Sequence, residues 1–453
     1  MEQQAVVETI RNELPDIGEL ESMVGILLAE ARAQGASSAE GAVSVDNGLS
    51  VTVRLGEVET LEHHRDHGLG ITVYFGQRKA SASTSDFSRQ SLRETVEAAC
   101  AIARYTSEDR FAGLADADRM ARDIPDLDLY HPWPIGVEAA IETARCCEDA
   151  ARALDARICN SEGATLATHQ GLRVYGNTHG FMGGYPSTRH SISCSMIGEE
   201  HGQMQRDYWY TVARAKDDLQ APEEVGRLAA ERTLQRLGAR PVATCEVPVV
   251  FSAEVAAGLI GHFVAAVRGG NLYRKSSFLL DQLGKPVFPG FVHIHEEPTM
   301  RKALGSTPFD TEGVATVAHD LITDGILRSY VLDSYSGRKL GMQTTGNAGG
   351  VHNLIVDPGV MGLPELLREM GRGLLVTEFM GQGINMVTGD YSRGAAGFWV
   401  EEGEIRFPVE EITVAGNLRE MFRQVVAIGN DVDLRGNIRT GSVLIERMTV
   451  AGQ

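Results

Sequence analysis

The sequence predicts an α+β fold in which two helix–antiparallel sheet–helix N-terminal units precede a large β-rich C-terminal domain. Three observations carry this prediction. Helical and alternating periodicities follow one another twice before residue 240, glycine-punctuated strand patterns dominate after it, and 453 residues exceed one typical domain. The predicted division is a first unit over 20–106, a linker over 107–134, a second unit over 135–239 and a C-terminal domain over 240–453.

The first unit shows a helical periodicity, then an alternating one, then a helical one again. Asn47-Gly48 is a dipeptide typical of tight hairpin turns, so we predict that the chain reverses there. The predicted elements are a helix over Leu20–Arg32, antiparallel strands between Ala42 and Ser83 with other reversals near Gly56, Gly68 and Gly76, and a helix from Ser88 through Tyr105.

The second unit repeats this order of elements. Residues 107–134 before it are rich in Asp and Ala, contain three prolines and lack sustained periodicity, which predicts a linker crossing the surface. The order of elements indicates an internal architectural duplication, although the residues of the two units align poorly. The predicted elements are a helix over Gly136–Leu154, strands over Ala156–Ala213 and a helix over Pro222–Leu237.

The C-terminal domain is organised around Val247–Leu280, which joins a strand to a helix and a basic loop. Ser252 is a favourable N-cap, and apolar residues at three-to-four-residue spacing predict a helix that ends at Gly269-Gly270. The other predicted elements are hairpins around Asp324-Gly325 and Glu402-Gly403, an edge or bend at Pro408, and a helix over Pro364–Met370.

Composition disfavours several classes of function. A formal net charge of −19, from 42 basic and 61 acidic residues, argues against a nucleic-acid partner held through phosphates. No window approaches the length of a membrane span, and the N-terminus lacks a charged start leading into an apolar segment. Six scattered cysteines without CxxC spacing indicate reduced thiols. We therefore expect a cytoplasmic protein without a membrane partner.

Several long motifs, in one order, make the chain similar to the TldD/PmbA family over nearly its whole length. Beside the central helix they are GLGITVYFGQRKASASTSD (Gly68–Asp86), YRKSSFLLDQLG (Tyr273–Gly284), STPFDTEG (Ser306–Gly313) and TGDYSRGAAGFWVEEGEI (Thr388–Ile405). The resemblance implies a cytoplasmic zinc metalloprotease that cleaves unfolded peptides and pairs a zinc-bearing subunit with a second one. It also implies roles in microcin precursor maturation and antitoxin turnover, and a link to DNA gyrase modulation.

The zinc-bearing subunit of that family carries His-Glu-x-x-x-His on the central helix and a further cysteine ligand near its C-terminus. In this chain the three motif places fall on Gly261, His262 and Ala266, and the last cysteine is Cys245. One histidine beside glycine and alanine cannot supply the three protein ligands that catalytic zinc needs. We infer that the partner holds the zinc and that this chain has no cofactor of its own. His262 is interpreted as a hydrogen-bonded histidine at the border of the core, with a catalytic or cleft role as the alternative.

Two segments are candidate parts of a peptide cleft. The first, Tyr273–Lys275, offers two cations, which suit the C-terminal carboxylate or the backbone carbonyls of a peptide. The second, Asp390–Arg393, lies in a glycine-rich stretch and combines residue types that can orient a carbonyl or pair with a charged end group. A solvated loop and tight turns at strand ends are the respective structural alternatives. The candidate residues are Tyr273, Arg274, Lys275, Asp390, Tyr391, Ser392 and Arg393.

Histidine-rich patterns in the sequence are candidate metal sites. His293, His295 and Glu297 share one face of a predicted strand, yet a strand edge pointing into water has the same pattern, and the resemblance assigns no metal there. HHRDH (His63–His67) is interpreted in the same way. No shared coordination is predicted for the histidines of the second sheet, His179, His190 and His201.

These observations lead to a division of labour as the expected function. This chain would supply scaffold and part of an enclosed peptide cleft, while the zinc of a TldD-like partner performs hydrolysis. A peptide that adds as a strand to a sheet edge would explain broad substrate choice, because main-chain hydrogen bonds ignore side chains. One alternative is a non-enzymatic homodimer that binds peptides or regulates a partner such as gyrase. Another places catalysis in this chain, at His293, His295 and Glu297.

Overall fold

The computed structural model describes residues 14–452, and its first half contains the order helix, three strands, helix twice. The predicted order of elements is therefore confirmed. The elements are α1 (Ile17–Ala33), β1 (Ser38–Arg54), β2 (Glu57–Phe75), β3 (Arg78–Thr84), α2 (Arg89–Tyr105), α3 (Val137–Arg152), β4 (Ile158–Asn177), β5 (Met182–Glu200), β6 (Gln203–Ala213) and α4 (Pro222–Gln235).

The two units do not carry separate sheets, because β1 pairs antiparallel with β4 along nearly its whole length. The result is one six-stranded sheet in the order β3-β2-β1-β4-β5-β6. Val43 and Val45 of β1 pack in the cluster of α1 and α2, whereas Leu49 and Val51 pack in the cluster of α3 and α4. Since alternate residues of a strand share a face, all four helices cover the same side of the sheet. The opposite side is left for the C-terminal domain and a groove.

The predicted turn at Asn47-Gly48 is wrong, and so is the reversal near Gly68. β1 runs straight through Asn47, which is 5% exposed, and the chain reverses at Leu55-Gly56, both of which have positive φ. A Cβ on Gly48 would lie 2.0 Å from Cε1 of His64 on the paired strand β2. Gly48 is thus required by close packing between long strands rather than by a turn.

The segment 107–134 is not a linker that only crosses the surface. Leu114, Met120 and Leu127 are each less than 10% exposed, and Met120 packs in a cluster with Phe181 of the sheet region and Phe309 of the C-terminal domain. These apolar residues are too far apart in sequence to show a period, which is why the pattern predicted a solvated segment. The segment joins the sheet to the C-terminal domain.

The C-terminal domain consists of two sheets and short helices. Its elements are β7 (Cys245–Phe251), α5 (Ala253–Val267), α6 (Gly269–Tyr273), β8 (Ile294–Glu296), β9 (His319–Thr323), β10 (Ile326–Leu327), α7 (Ser334–Leu340), β11 (Leu354–Val356), α8 (Leu363–Met370), β12 (Gly373–Met380), β13 (Asp390–Glu401), β14 (Glu404–Asn417), α9 (Leu418–Arg423), β15 (Val425–Ile428), β16 (Ile438–Arg439) and β17 (Val443–Ala451).

One of these sheets closes on itself. Its order is β14-β13-β12-β7-β17-β15, and β14 also pairs with β17, so five strands form a ring. The other sheet has the order β10-β9-β8-β11-β16. The hairpins at Asp324-Gly325 and Glu402-Gly403 are confirmed, with positive φ at all four residues, and so is the helix over Pro364–Met370.

The central helix α5 leaves β7 and buries Leu259, Phe263 and Val267 in the largest hydrophobic core. Ser252 stands at its N-cap as predicted, but its hydroxyl is buried and caps nothing among the described residues. Its backbone amide instead donates to the carbonyl of Val376 at 3.0 Å. The predicted stop at Gly269-Gly270 is the start of α6, while Arg268 between the two helices is extended. α5 is therefore held by the β7–β12 ladder and by apolar burial.

Two further predictions concern reduced cysteines and the absence of a membrane span. All six cysteines are free, and Cys147 is buried whereas the adjacent Cys146 donates to Glu223, as side chains of neighbouring helical positions diverge. Within residues 14–452, no helix has both the length and the apolar character needed to cross a membrane.

Candidate functional site

The three zinc-motif places on α5 do not form a metal site. Ala266 is fully buried, and a Cβ on Gly261 would meet no atom closer than the Cδ1 of Ile438, 3.9 Å away. Neither residue has a donor atom on its side chain. His262 between them is left as a single imidazole, which cannot hold a zinc ion alone.

His262 nevertheless lies in a defined environment. Its Nε2 is buried and has no hydrogen-bond partner among the described residues. The interpretation of His262 as a hydrogen-bonded core histidine is therefore wrong for its Nε2. The ring meets the ring of Tyr391 edge-on, with 6.0 Å between centroids. Burial and the Arg393 guanidinium lower the pKa of His262, so the imidazole is neutral at pH 7.

β13 begins beside α5 and brings two of the predicted cleft residues to His262. Tyr391 is 2% exposed, and burial raises the pKa of its hydroxyl. Arg393 lies over the ring of Phe379 at 4.7 Å and donates from Nε to the carbonyl of Gly381 at 3.1 Å. Because side chains alternate along a strand, Tyr391 and Arg393 share one face. His262, Tyr391 and Arg393 form a compact cluster.

Asp390 and Ser392 occupy the other face of β13 and are exposed. The Asp390 carboxylate accepts from the Thr388 hydroxyl at 2.6 Å, and the backbone amide of Ser392 donates to the carbonyl of Gly383 at 2.7 Å. Both bonds shape the turn before the strand. This geometry supports the structural interpretation for these two residues.

The other predicted segment lies at the end of α6. Arg274 donates from Nη1 to the Tyr273 hydroxyl at 2.9 Å, and the Tyr273 ring meets that of Tyr335 at 5.8 Å. The Lys339 ammonium lies over the Tyr335 ring at 5.3 Å, whereas Lys275 is exposed with a left-handed φ of 57°. Arg274 thus joins an aromatic cluster with Tyr273 rather than approaching His262.

A cavity of about 520 Å³ between the six-stranded sheet and the C-terminal domain was not anticipated from the sequence. Arg214 donates through its two Nη atoms to the carbonyls of Thr188 at 2.9 Å and Leu304 at 2.8 Å. Its Nε is buried and has no hydrogen-bond partner within residues 14–452. Among those residues Arg173 and Arg189 form no ion pair, whereas Arg435 pairs with Asp433 and Glu254. The arginines of the lining are Arg173, Arg189, Arg214 and Arg435.

Asp310 is the one acidic residue in the described lining, and Asp433 lies outside it, paired with Arg435 at 2.9 Å. Asp310 is 3% exposed, and burial together with the nearby Glu312 raises its pKa to about 7. Its oxygens accept from the amides of Val314 and Ala348, each at 3.0 Å. The Asp310 carboxyl is therefore turned to the protein backbone, and the cavity is cationic within a chain of net charge −19. Its arginines carry no local signature, because they come from different strands and loops, although the motif Ser306–Gly313 lines the cavity.

The cavity continues into the groove on the helix-free side of the sheet. That groove has a volume of about 1000 Å³. Arg173, Tyr185 and Ser187 line both spaces. We call the combined space the arginine channel.

The histidines at the short strand β8, His293 just before it and His295 on it, partly match their prediction. His293 and His295 share a face, as expected, but β8 ends at Glu296, and Glu297 donates its amide to the Asn353 carbonyl instead of joining them. Asp357 takes its place. Within residues 14–452, His293, His295 and Asp357 are the one group of at least three histidine, cysteine or acidic residues with ligand atoms all within 4.8 Å of one another.

Several other histidines contact neighbouring rings or the backbone. His64 stacks on His169 at 5.8 Å across the sheet, and His67 meets Phe87 edge-on. Buried His190 lies beside Trp133, and its Nε2 is 2.9 Å from the carbonyl oxygen of His131.

Profiles of one protein family match the chain in three successive parts. They are described as PmbA/TldA metallopeptidase domain 1, over residues 39–103, central domain, over residues 130–237, and C-terminal domain, over residues 244–452. The Metalloprotease PmbA of Escherichia coli O157:H7 is 54% identical over 94% of both chains. A PmbA homolog of Haemophilus influenzae is 52% identical over 96% of both. A TldD homolog of the same organism is 23% identical over 82% of this chain and 81% of its own.

Solved structures share the fold. A candidate modulator of DNA gyrase from Bacteroides thetaiotaomicron superposes with a TM-score of 0.91 at 28% identity, covering 96% of this chain and 99% of its own. TldE from Thermococcus kodakarensis has a TM-score of 0.83 at 20% identity, covering 95% of this chain and all of its own. At 20% identity, the similarity to TldE concerns the fold alone.

Proposed function

This chain belongs to the PmbA/TldA metallopeptidase family, and we propose that it is the PmbA/TldE-type subunit of a cytoplasmic two-subunit zinc protease acting on unfolded peptides. In this proposal a TldD-type partner holds the zinc and performs hydrolysis. The chain described here supplies the scaffold and a peptide-binding channel. Microcin precursors and antitoxins are the substrates to test first.

The observation that carries the division of labour is the set of side chains on α5. Gly261 and Ala266 have no donor atoms, and the Nε2 of His262 is buried against Tyr391 without a second ligand. A catalytic zinc ion needs three protein ligands and an open position for water. The absence of these ligands on α5 supports the proposal that the catalytic zinc of the family is held by another chain.

The arginine channel is our candidate for the peptide-binding surface. Arg214 leaves one buried donor without a partner, and such a donor is costly unless a ligand satisfies it. A peptide's carbonyl or terminal carboxylate has the acceptor oxygens that guanidinium groups bind. Tyr273–Lys275 and Asp390–Arg393 do not line this channel and stay predicted contributors to a cleft elsewhere.

The test is a comparison of the purified chain alone, a TldD-type subunit alone and their mixture on an unfolded peptide. We expect chelator-sensitive cleavage that depends on the zinc-bearing subunit and rises when this chain is added. Robust chelator-sensitive cleavage by the isolated chain would refute the division of labour. The mass and zinc content of the mixed assembly give an independent measure of pairing.

A second candidate function is a non-enzymatic homodimer that binds peptides or regulates another protein. This candidate is supported by the similar structure from Bacteroides thetaiotaomicron, which is described as a candidate modulator of DNA gyrase. Peptide binding without any cleavage, even beside the zinc-bearing subunit, would support this candidate. A mass of two identical chains in the absence of the partner would point the same way.

A further inference from the structure

A cluster of metal-ligating side chains lies on one face of the five-stranded sheet, away from α5. His293 directly precedes β8 and His295 lies on it, with Ile294 between them facing the core. In the ladder between β8 and β11, Val356 pairs with Ile294, so Asp357 stands opposite His293. On the other side of β8, Asp320 pairs with His295. The strand register therefore places two imidazoles and two carboxylates together.

The distances fit a shared ion better than hydrogen bonds. Nδ1 of His295 lies 3.4 Å from Oδ1 of Asp357, and it is buried without a hydrogen-bond partner among the described residues. Hydrogen bonds between nitrogen and oxygen span about 2.7–3.2 Å. Two ligand atoms each about 2.1 Å from a tetrahedral ion lie about 3.4 Å apart. The spacing of His295 and Asp357 matches that second value.

We propose that His293, His295 and Asp357 bind a divalent transition-metal ion of the Zn²⁺ or Co²⁺ class. Two imidazoles with one carboxylate suit such ions, whereas Mg²⁺ and Ca²⁺ prefer oxygen ligands throughout. The side chains are 22–50% exposed, so an ion can enter from solvent. Three protein ligands leave a coordination position open to water or a further ligand.

Asp320 completes the arrangement. Its Oδ1 lies 3.3 Å from Nε2 of His293, on the same face of the sheet. Metal-bound histidines commonly hold a carboxylate at the other ring nitrogen, which fixes the orientation of the ring. Asp320 fills this role when the ion binds the Nδ1 of His293, and it is a fourth ligand when the ion binds Nε2.

The site is independent of the proposed protease function. It lies where His293 leads into β8 and Asp357 follows β11, so an ion there would tie these two paired strands together whether or not the chain pairs with a zinc-bearing subunit. The zinc that the resemblance implies is expected in the partner subunit. An ion at His293, His295 and Asp357 would be a second, separate one.

The test is metal binding by the untagged full-length chain after treatment with a chelator and dialysis. We expect one Zn²⁺ per chain by calorimetry and, with Co²⁺, the visible absorption bands of a nitrogen- and oxygen-ligated ion. Combined His293→Ala and His295→Ala should abolish binding. Asp357→Asn, at a half-exposed position, should weaken it at least about tenfold without unfolding the chain. Asp320→Asn should weaken it by about 10–100-fold if Asp320 orients His293.

Combined His63→Ala and His67→Ala is the matched control, since it also removes two histidines from one strand face and should leave binding unchanged. Circular dichroism checks that each variant is folded. The proposal is overturned if the wild-type chain binds neither Zn²⁺ nor Co²⁺ when they are added back, or if folded Asp357→Asn and the double histidine variant bind them as tightly as the wild type.

Discussion

Replacing Arg214 by glutamine tests whether the arginine channel binds the peptide. The Nη atoms of Arg214 donate to the carbonyls of Thr188, Ala303 and Leu304, while its Nε has no partner among the described residues. The guanidinium is thus held in place with one donor free for a ligand. A hydrogen bond to a charged group contributes about 1.5–3 kcal/mol. With a tenfold change per about 1.4 kcal/mol, its loss should raise KM by about 10–150-fold.

The assay is steady-state cleavage of an unfolded peptide by the reconstituted two-subunit assembly. We expect a raised KM with little change in kcat, because the chemistry belongs to the partner. Arg214→Lys keeps the charge but not the planar fork, so it should recover only part of the affinity. Arg206→Gln, on the exposed part of the same sheet, is the control.

Peptides with a free or an amidated C-terminus distinguish the two ligand groups. If the channel binds the terminal carboxylate, amidation should raise KM in the wild type and have little further effect in Arg214→Gln. Equal effects of the substitution on both peptides would indicate binding of a backbone carbonyl. An unchanged KM for folded Arg214→Gln with both peptides would refute the assignment of the channel.

The remaining predictions concern stability. Burial lowers the pKa of His352 to about 4, so the folded state stays neutral while the unfolded chain takes up a proton below about pH 6.5. His352 should therefore lower stability as the pH drops from about 6.5 to 4, by an amount on the order of 3 kcal/mol, whereas the raised pKa of buried Asp310 acts in the opposite direction. In urea denaturation, the difference in unfolding free energy between the wild type and His352→Gln isolates the histidine and should change by about that amount over this pH range. Gly226→Ala should destabilise by about 1–3 kcal/mol, because the added Cβ would lie 2.0 Å from the Cys147 carbonyl oxygen where α3 meets α4. Gly258→Ala on α5 meets open space and should stabilise by up to about 1 kcal/mol, so equal effects of the two substitutions would contradict the packing described here.

Local patterns in the sequence determined the helices and several turns. The amphipathic rhythm of Leu20–Arg32 and the cap at Ser88 predicted α1 and α2 to within a few residues, since both signals lie within one or two helical turns. Asp324-Gly325 was a reliable turn signal for the same reason. The absence of zinc ligands on α5 also followed from residue identities alone, given the resemblance.

Tertiary structure decided where strands pair and which distant side chains meet. Asn47-Gly48 resembled a turn, but pairing of β1 with both β2 and β4 keeps the strand extended through it. Likewise Asp357, rather than Glu297, completes the histidine cluster, because the neighbouring strand β11 brings it there. Periodicity reports the chain's local conformation, whereas sheets and sites depend on contacts between residues far apart in sequence.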